Sequence, residues 1–529
     1  MQLKMKWLSI CCAFFLPSIV VCLPKEMTMK EKVGQLLMVH FHGEEANEDA
    51  KCLIQDLGVG GIIYYSWANG LHSPHQVRVL SQGLQSIAQQ NRNPIPLFIS
   101  VDQEGGVVSR FHQGFTSFPG NGALGRTKNL DLAEEIAFAM GEELRSVGAN
   151  MNLAPVIDVN VNPKNPVIGI RSFGDDPALV AAFGHRMLQG NKRAHVIGVP
   201  KHFPGHGDVD TDSHENLPIV RKSMDMLRKI ELIPFERLAP EAEAIMTAHI
   251  LVPALDTKNC ATLSKNTIAY LRDVLHFSGV VISDSLVMQG VLKKCQTVEE
   301  AAIQAINAGC DLLILGGRQP ISFAGTCELT VADMKSIHSA LMRAVEEGRI
   351  TIERLDEAVG RVLALKEKYL YQETPATDVP WAMHQALAKK VAALALQEVH
   401  REPLPDLSEK KILMVAPELL REALSQTSFR AGSDVFFFKG LHPSTDEIEN
   451  ARKRMEEADV LCIFSYNAWK SRSQQALIQG LLDRGKPHVL IVVRDPLDAE
   501  LFPMAKHVWW TFSPTIPSIQ AVCEKMYER

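Results

Sequence analysis

Pro96-Leu97-Phe98-Ile99-Ser100-Val101-Asp102 is a short apolar run that ends on an acid, and Gln103-Glu104-Gly105-Gly106 follows at once. A run this short and this continuously apolar reads as a strand buried on both faces, as in a parallel sheet. Working outward, the same pattern recurs at Gly58 to Tyr65, Met151 to Asp158, Val196 to His202, Ala244 to Leu251, Gly279 to Asp284 and Asp311 to Leu315. Amphipathic helical patterns, such as Leu130 to Val147 and Val298 to Ala308, lie between them. The runs start about 30 to 55 residues apart, the spacing of repeated βα units. Seven such runs, with one weak or missing, fit a (β/α)8 TIM-type barrel better than a doubly wound sheet.

Where these runs end, polar residues gather: Asp102 and Glu104, Asp158, Lys201 and His202, His249, Asp284. Barrel enzymes build their sites from the carboxyl ends of strands. A packed core has no reason to place charge at the same end of strand after strand, so the pattern points to a catalytic cleft.

The rest of the 529 residues is consistent with that class. Hydrophobic residues are 46% and charged residues 22%, an ordinary globular mix that excludes a disordered, collagenous or coiled-coil chain. The net charge of −6 gives no reason to expect a nucleic-acid partner. Met1 to Lys6 carries two lysines and Trp7 to Cys22 follows without a charge, the layout of a signal peptide or N-terminal anchor over residues 1–24. Its uncharged run is shorter than the roughly 20 residues of a spanning helix. The expectation is therefore export, periplasmic or membrane-anchored, with any membrane attachment through this segment; without a working leader the chain is cytoplasmic. Cys22 after Ile19-Val20-Val21 faintly matches a bacterial lipoprotein box, with Val21 too large for it. Cys52, Cys260, Cys295, Cys310, Cys327, Cys462 and Cys523 form no CxxC and are odd in number, so they read as free thiols.

The barrel unit is expected over 25–371. Two prolines in Gln372 to Pro380, a helix-like stretch over Trp381 to His400 and Pro403-Leu404-Pro405 mark a helical, proline-containing linker over 372–405. Apolar runs at Lys411 to Val415, Asp434 to Phe438, Val460 to Phe464 and His488 to Val493 then alternate with helical patterns at Glu447 to Glu457 and Ser473 to Asp483. Residues 406–529 therefore read as a smaller three-layer α/β domain, without the glycine-rich loop of a nucleotide site.

Four segments carry the chemistry. Lys201-His202-Phe203-Pro204-Gly205-His206-Gly207-Asp208-Val209-Asp210-Thr211-Asp212-Ser213-His214 is too polar for a core and reads as a loop shaped around a ligand. Its alternating aspartates fail as a Ca2+ loop, since Ser213 and Ile219 stand where glycine and glutamate are needed. Its spacing matches no zinc pattern either. Asp212, two residues from His214, can hold the imidazole's tautomer and stabilise its charged form, making His214 a proton donor and acceptor near neutral pH. In Val281-Ile282-Ser283-Asp284-Ser285-Leu286, Asp284 ends a buried strand and is either a catalytic carboxylate or the cap of the next helix. Asp102 and Arg110 suit vicinal hydroxyls, and Gly105-Gly106 between them allows close approach of the backbone to a ligand. Arg171, in Asn165-Pro166-Val167-Ile168-Gly169-Ile170-Arg171, is a second hydroxyl clamp or a loop-stapling cation.

These four segments, in this order, resemble the β-N-acetylglucosaminidase (β-N-acetylhexosaminidase) branch of glycoside hydrolase family 3, over Lys25 to Tyr371; the Lys-His-Phe-Pro-Gly-His-Gly run is highly specific. The resemblance implies that Asp284 is the nucleophile, that Asp212 and His214 are the acid/base dyad, and that Asp102, Arg110, Arg171, Lys201 and His202 hold the sugar. Val107 replaces a usual arginine, Val209 a usual threonine, and Ser285 an aspartate found in many members; none of these is a catalytic group. Family members differ in carrying an α/β domain after the barrel, and in glucoside-cleaving relatives such a domain supplies the acid/base residue. Here the dyad is already on the barrel loop.

The reaction this implies is retaining hydrolysis of terminal β-linked N-acetylglucosamine, from GlcNAc-β-1,4-anhydroMurNAc muropeptides in peptidoglycan turnover, with no cofactor and no metal. Chitooligosaccharides present the same sugar. A phosphorylase reading stands beside it, because a histidine acid leaves room for anionic phosphate. A catalytically silent glycan-binding module would have lost the nucleophile or the dyad, and Asp284, Asp212 and His214 are all present.

Overall fold

Eight short parallel strands close into a ring. They are β1 (Leu37–Val39), β2 (Gly61–Ile63), β3 (Phe98–Val101), β4 (Met151–Asn152), β5 (Ile197–Gly198), β6 (Ala244–Met246), β7 (Val280–Ile282) and β8 (Leu313–Leu315). The computed structural model describes residues 26–213, 216–321, 325–371, 378–400, 402, 410–427 and 433–527; the N-terminal leader, His214 and the proline pair at 403 and 405 lie outside them. One sheet runs β5-β4-β3-β2-β1-β8 and a second pairs β6 with β7. Parallel bridges from Phe203 to Thr247 and from Ile282 to Leu312 join the two and complete the barrel.

Every residue of these strands is buried, which explains why they read as unbroken apolar runs. The strand that the spacing leaves out is β1. It begins one residue after the helix Met29–Gln35, so no turn residue sets it apart and its three residues merge with the helix's apolar end. The helix Val298–Ala308 matches its expected bounds, held by Thr297, whose hydroxyl accepts from Glu300 N, and stopped by Gly309 at φ +118°.

The amino-terminal end of the barrel carries its own charge cluster. Asp311, wholly buried before β8, accepts from Arg272 at 2.6 Å, Arg354 at 2.8 Å and Arg361 at 3.2 Å. At this face of a barrel such a cluster ties helices to strands rather than meeting substrate.

After β8 come the hairpin strands β9 (Arg318–Ile321) and β10 (Gly325–Glu328), and then the second unit. Its strands are β11 (Gln397–His400), β12 (Ile412–Pro417), β13 (Asp434–Phe438), β14 (Val460–Ser465), β15 (His488–Val492) and β16 (His507–Trp510), ordered β11-β16-β15-β14-β12-β13. Along β12 the side chains alternate: Ile412, Met414 and Ala416 enter one apolar layer, Leu413 and Val415 the other, so helices cover both faces.

Two strands of this sheet, the edge strand β11 and β16 beside it, have no counterpart among the apolar runs. The helix expected over Trp381 to His400 ends at Ala395, and Gln397–His400 instead pairs antiparallel with β16. The stretch read as linker thus contributes a strand to the second unit. Its pattern is only partly buried, the mark of an edge strand, and an edge strand lacks the apolar run that identifies a central one.

The two units meet through Ala123, Ala395 and Phe512, with the Arg126 guanidinium 4.7 Å from the Phe512 ring centroid. Among the described residues, Cys52, Cys260, Cys295, Cys310, Cys462 and Cys523 are free thiols, all buried but Cys52. No helix among the described residues is long and apolar enough to cross a membrane.

Candidate active site

A cavity of about 330 Å³ opens at the carboxyl end of the barrel. Asp102, Arg110, Arg171, Lys201, His202 and Asp284 all line it, six of the eight residues singled out from the sequence. Asp212 is next in the chain to Ser213, which also lines it; His214 falls outside the described residues.

At the floor of the cavity lies an ion cluster. Lys201, 2% exposed, places Nζ 2.7 Å from Asp102 Oδ1 and 2.8 Å from Glu104 Oε1. Arg171 grips Glu104 with both arms, Nε to Oε2 at 2.9 Å and Nη2 to Oε1 at 2.8 Å. Arg110 stands 3.8 Å from the other oxygen of Asp102.

Burial alone would raise the Glu104 carboxyl, but Arg171 and Lys201 hold it well below the usual carboxylate range. Burial likewise pushes the Lys201 ammonium down, while Asp102 and Glu104 pull it up further, so it stays charged. Fixed charges in a site largely shut from water bind hydroxyl oxygens far more strongly than the same groups on a surface. Arg171 staples its loop, donating also to Val167 O at 3.3 Å, and it stands in the cavity wall.

Glu104 is the residue that sequence reasoning undervalued. It was visible as a strand-end acid, but only the fold brings Lys201 and Arg171 to its two oxygens.

The same holds for Asp158, buried at the end of the β4 segment. It accepts from His202 Nδ1 at 2.7 Å, His202 N at 3.2 Å and His206 N at 2.7 Å. These bonds outweigh the effect of burial and keep its carboxyl low. Asp158 therefore orients His202 toward the cavity and fixes the start of the acid-rich loop. His206 is buried, which pushes its pKa down to about 4, so it is neutral at physiological pH. Its Nε2 lies 3.1 Å from the Ser213 hydroxyl, which tethers the chain between Asp212 and His214.

Asp284 sits just beyond β7. The helix-cap reading is settled by position: the next helix, Gln289–Cys295, has Met288 at its N-cap. Asp284 faces the cavity instead, with Ser285 N donating to its Oδ1 at 2.7 Å. The strand end is braced from behind by His249, whose Nε2 bonds Ser285 O at 2.8 Å and whose Nδ1 bonds Thr262 Oγ1 at 2.8 Å. Such bracing fixes the position of the carboxylate that the strand end presents to the cavity.

On the opposite wall Tyr65 and Trp67 stack, with ring centroids 5.0 Å apart. Burial, with the charges of Asp102 and Asp284 adding to it, keeps the Tyr65 phenol protonated. These aromatics carry no motif of their own, and only the fold reveals them.

Gly105-Gly106 differs from expectation. The two residues take φ +82° and +63°, and a Cβ on either would meet the backbone of 118–120, not a ligand. They let the loop fold back, while Gln103 Oε1 accepts from Arg110 N at 2.8 Å and Phe111 N at 3.2 Å and so aims Arg110 at the cavity.

Comparison with known proteins places this geometry. Residues 28–365 match the model of the glycosyl hydrolase family 3 N-terminal domain. The chain is 34% identical over 422 residues to the β-hexosaminidase A of Pseudoalteromonas piscicida, covering 72% of this chain and 69% of that protein. It is 31% identical over 352 residues to the β-hexosaminidase LpqI of Mycobacterium tuberculosis, covering 65% and 84%. The solved structure of a glycoside hydrolase family 3 β-N-acetylglucosaminidase from Paenibacillus sp. FPU-7 superposes with a TM-score of 0.85 at 36% identity, across 95% of this chain and 97% of the other, so both units are shared. The chain therefore belongs to glycosyl hydrolase family 3 and is a glycoside hydrolase.

Proposed function

We propose that this glycoside hydrolase is a β-N-acetylhexosaminidase that removes a terminal, non-reducing β-linked N-acetylglucosamine with retention of configuration. The observation that carries the reading is the convergence of Asp284 with Asp102, Arg110, Arg171, Lys201 and His202 on one small cavity. Its volume is near the lower end of small-molecule sites, about 300 Å³, which suits a single terminal sugar rather than the middle of a chain.

Asp284 attacks the anomeric carbon while His214, as imidazolium, gives its proton to the leaving oxygen. The glycosidic bond breaks and an ester to Asp284 forms. His214, now neutral, takes a proton from water, whose oxygen attacks the same carbon and releases the sugar and the carboxylate. A histidine with its ordinary pKa of about 6.5 needs no burial to act near neutral pH, whereas a carboxylic acid would. In this reading Asp212, two residues before His214, stabilises the charged imidazolium. Asp102, Arg110, Arg171, Lys201 and His202 hold hydroxyl and amide oxygens.

The finer reading is that the substrates are muropeptides ending in GlcNAc-β-1,4-anhydroMurNAc, released in cell-wall turnover. It rests on the family resemblance and on the leader, which would deliver the enzyme to the exported side of the membrane.

The test is turnover of 4-nitrophenyl β-N-acetylglucosaminide in phosphate-free buffer. Wild type cleaves it and Asp284→Ala does not, while His214→Ala loses less on this substrate than on chitobiose, because nitrophenolate needs little protonation to leave. Activity only with added phosphate would make the enzyme a phosphorylase. A higher kcat/KM on chitobiose than on an anhydro-muropeptide would remove the finer reading alone.

A further inference from the structure

His40 and His42 follow β1, and the end of β10 brings Glu328 against them. None of the three lines the sugar cavity, but both imidazoles pack against Trp67, at centroid distances of 5.3 and 5.5 Å, and Trp67 does line it. One ligand atom from each of the three residues lies within 4.8 Å of the others, the one such group among the described residues.

The detail that separates this group from a chance surface cluster is His40. It is 1% exposed, and its Nδ1 is buried with no hydrogen-bond partner among the described residues. A buried polar nitrogen without a partner is destabilising unless something occupies it. A neutral imidazole keeps a lone pair on one ring nitrogen, the atom a metal ion takes.

The other two residues complete the set. His42 Nε2 lies 2.6 Å from Glu328 Oε2, and the His42 side chain is 56% exposed, giving an entry path. The remaining oxygen of Glu328 is paired with Arg318, an outer partner that fixes the carboxylate's orientation.

We propose that His40, His42 and Glu328 bind a divalent transition-metal ion, zinc being the best match to two imidazoles and one carboxylate. The ion takes the place of the proton shared by His42 and Glu328, with bonds of roughly 2.0–2.2 Å, and keeps an outward position for water. The site is separate from the catalytic residues and touches them only through the wall: Arg318 pairs with Glu328, stacks 4.0 Å over Trp67 and itself lines the cavity.

The experiment strips the full-length protein of metal with a chelator and titrates it with Co2+, followed by its visible absorption, and with Zn2+ by calorimetry. About one equivalent binds saturably in each case, at concentrations on the order of micromolar. His42→Ala and Glu328→Gln each weaken binding at least tenfold. Asp212→Asn leaves it unchanged. Because His42 is exposed, that variant keeps its fold, which the thermal unfolding midpoint checks. Absence of saturable binding overturns the proposal, as does binding that survives His42→Ala and disappears in Asp212→Asn, which would put the ion on the catalytic loop. Since the readout is metal binding, either result leaves the hydrolase assignment untouched.

Discussion

At the carboxyl ends of the barrel strands, Asp102, Glu104, Lys201 and Asp284 turn toward one cavity. The carboxyl ends of β14 and β15 in the second unit are just as polar, with Asn467, Trp469, Lys470, Asp495 and Asp498, yet these residues turn toward each other and toward the barrel. Asp495 accepts from Trp469 Nε1 at 3.2 Å, Asp498 from Trp469 N at 2.9 Å, and Lys470 Nζ donates to Pro166 O at 2.9 Å. Pro166 lies in the loop that leads to Arg171. Charge at strand ends therefore marks a site only where it converges on space a ligand can fill. In the second unit the same feature makes a buttress.

The sharpest way to break this contrast is to neutralise one carboxylate of each kind. Glu104→Gln leaves Lys201 and Arg171 buried without their shared anion, and breaking a buried pair in this way costs about 3–5 kcal/mol. Felt in the bound transition state, that is a fall in kcat/KM of roughly 10³-fold. Asp495→Asn, in contrast, keeps an acceptor for Trp469 and changes kcat/KM by less than about threefold. Steady-state kinetics of both variants decides it, and equal losses would make the second unit part of the site.

Asp498 sharpens the contrast through stability. Burial pushes its carboxyl up to about 6, above the ordinary 3.8, and only partly offset by hydrogen bonds from the chain around 468–469. The folded state then holds a proton that the unfolded state has lost between about pH 4 and 6. The stability this group contributes is full below pH 4 and is lost as pH rises through 6. Asp498→Asn removes the charge, so it stabilises the protein at pH 8 by up to about 3 kcal/mol and flattens this part of the pH profile. Urea unfolding at pH 4 and pH 8 measures it; a destabilised variant at pH 8 would show that the carboxylate has a charged partner that matters. Activity of the folded protein stays unchanged.

Gly169 tests the contact itself. It takes φ +46°, and a Cβ there would come 2.5 Å from Asp495 Oδ1, at the start of the short turn Gly169–Arg171. Gly169→Ala must therefore shift either the buttress or the loop. Since Arg171 follows two residues later, the expected result is a rise in KM of about tenfold, near 1.4 kcal/mol, with kcat less affected. An unchanged KM would mean that the loop takes its position from Glu104 alone.

How far the sequence discloses this depends on what kind of information each part needs. The barrel was legible because seven of its strands are buried on both faces and bounded by polar ends; β1 was not, because a strand of three residues after a helix has no pattern of its own. Asp284 and Lys201 stood out by position. Glu104, Asp158 and His206 were visible as residues, but their roles lie in partners 44 to 97 positions away (Asp158 with His202, Glu104 with Lys201), and no local spacing encodes such a pair. Tyr65 and Trp67 gave no signal, since an aromatic in a strand-end loop looks like any other. In the second unit β11 was hidden by its partly exposed edge.

The smallest expected effect belongs to Lys470, and it is the most informative about the second unit's purpose. Its side chain is exposed, and its bond to Pro166 O is made at the edge of the interface, where water can replace it. A hydrogen bond so placed contributes on the order of 1 kcal/mol or less. Lys470→Ala should therefore raise KM by no more than about threefold, leave kcat alone, and add to the effect of Gly169→Ala if the two act separately. If both residues instead hold one conformation of the 166–171 loop, the double variant loses no more than Gly169→Ala does by itself, because the loop is already displaced. Comparing KM across the four proteins decides between a second unit that merely covers the barrel and one that sets the position of Arg171.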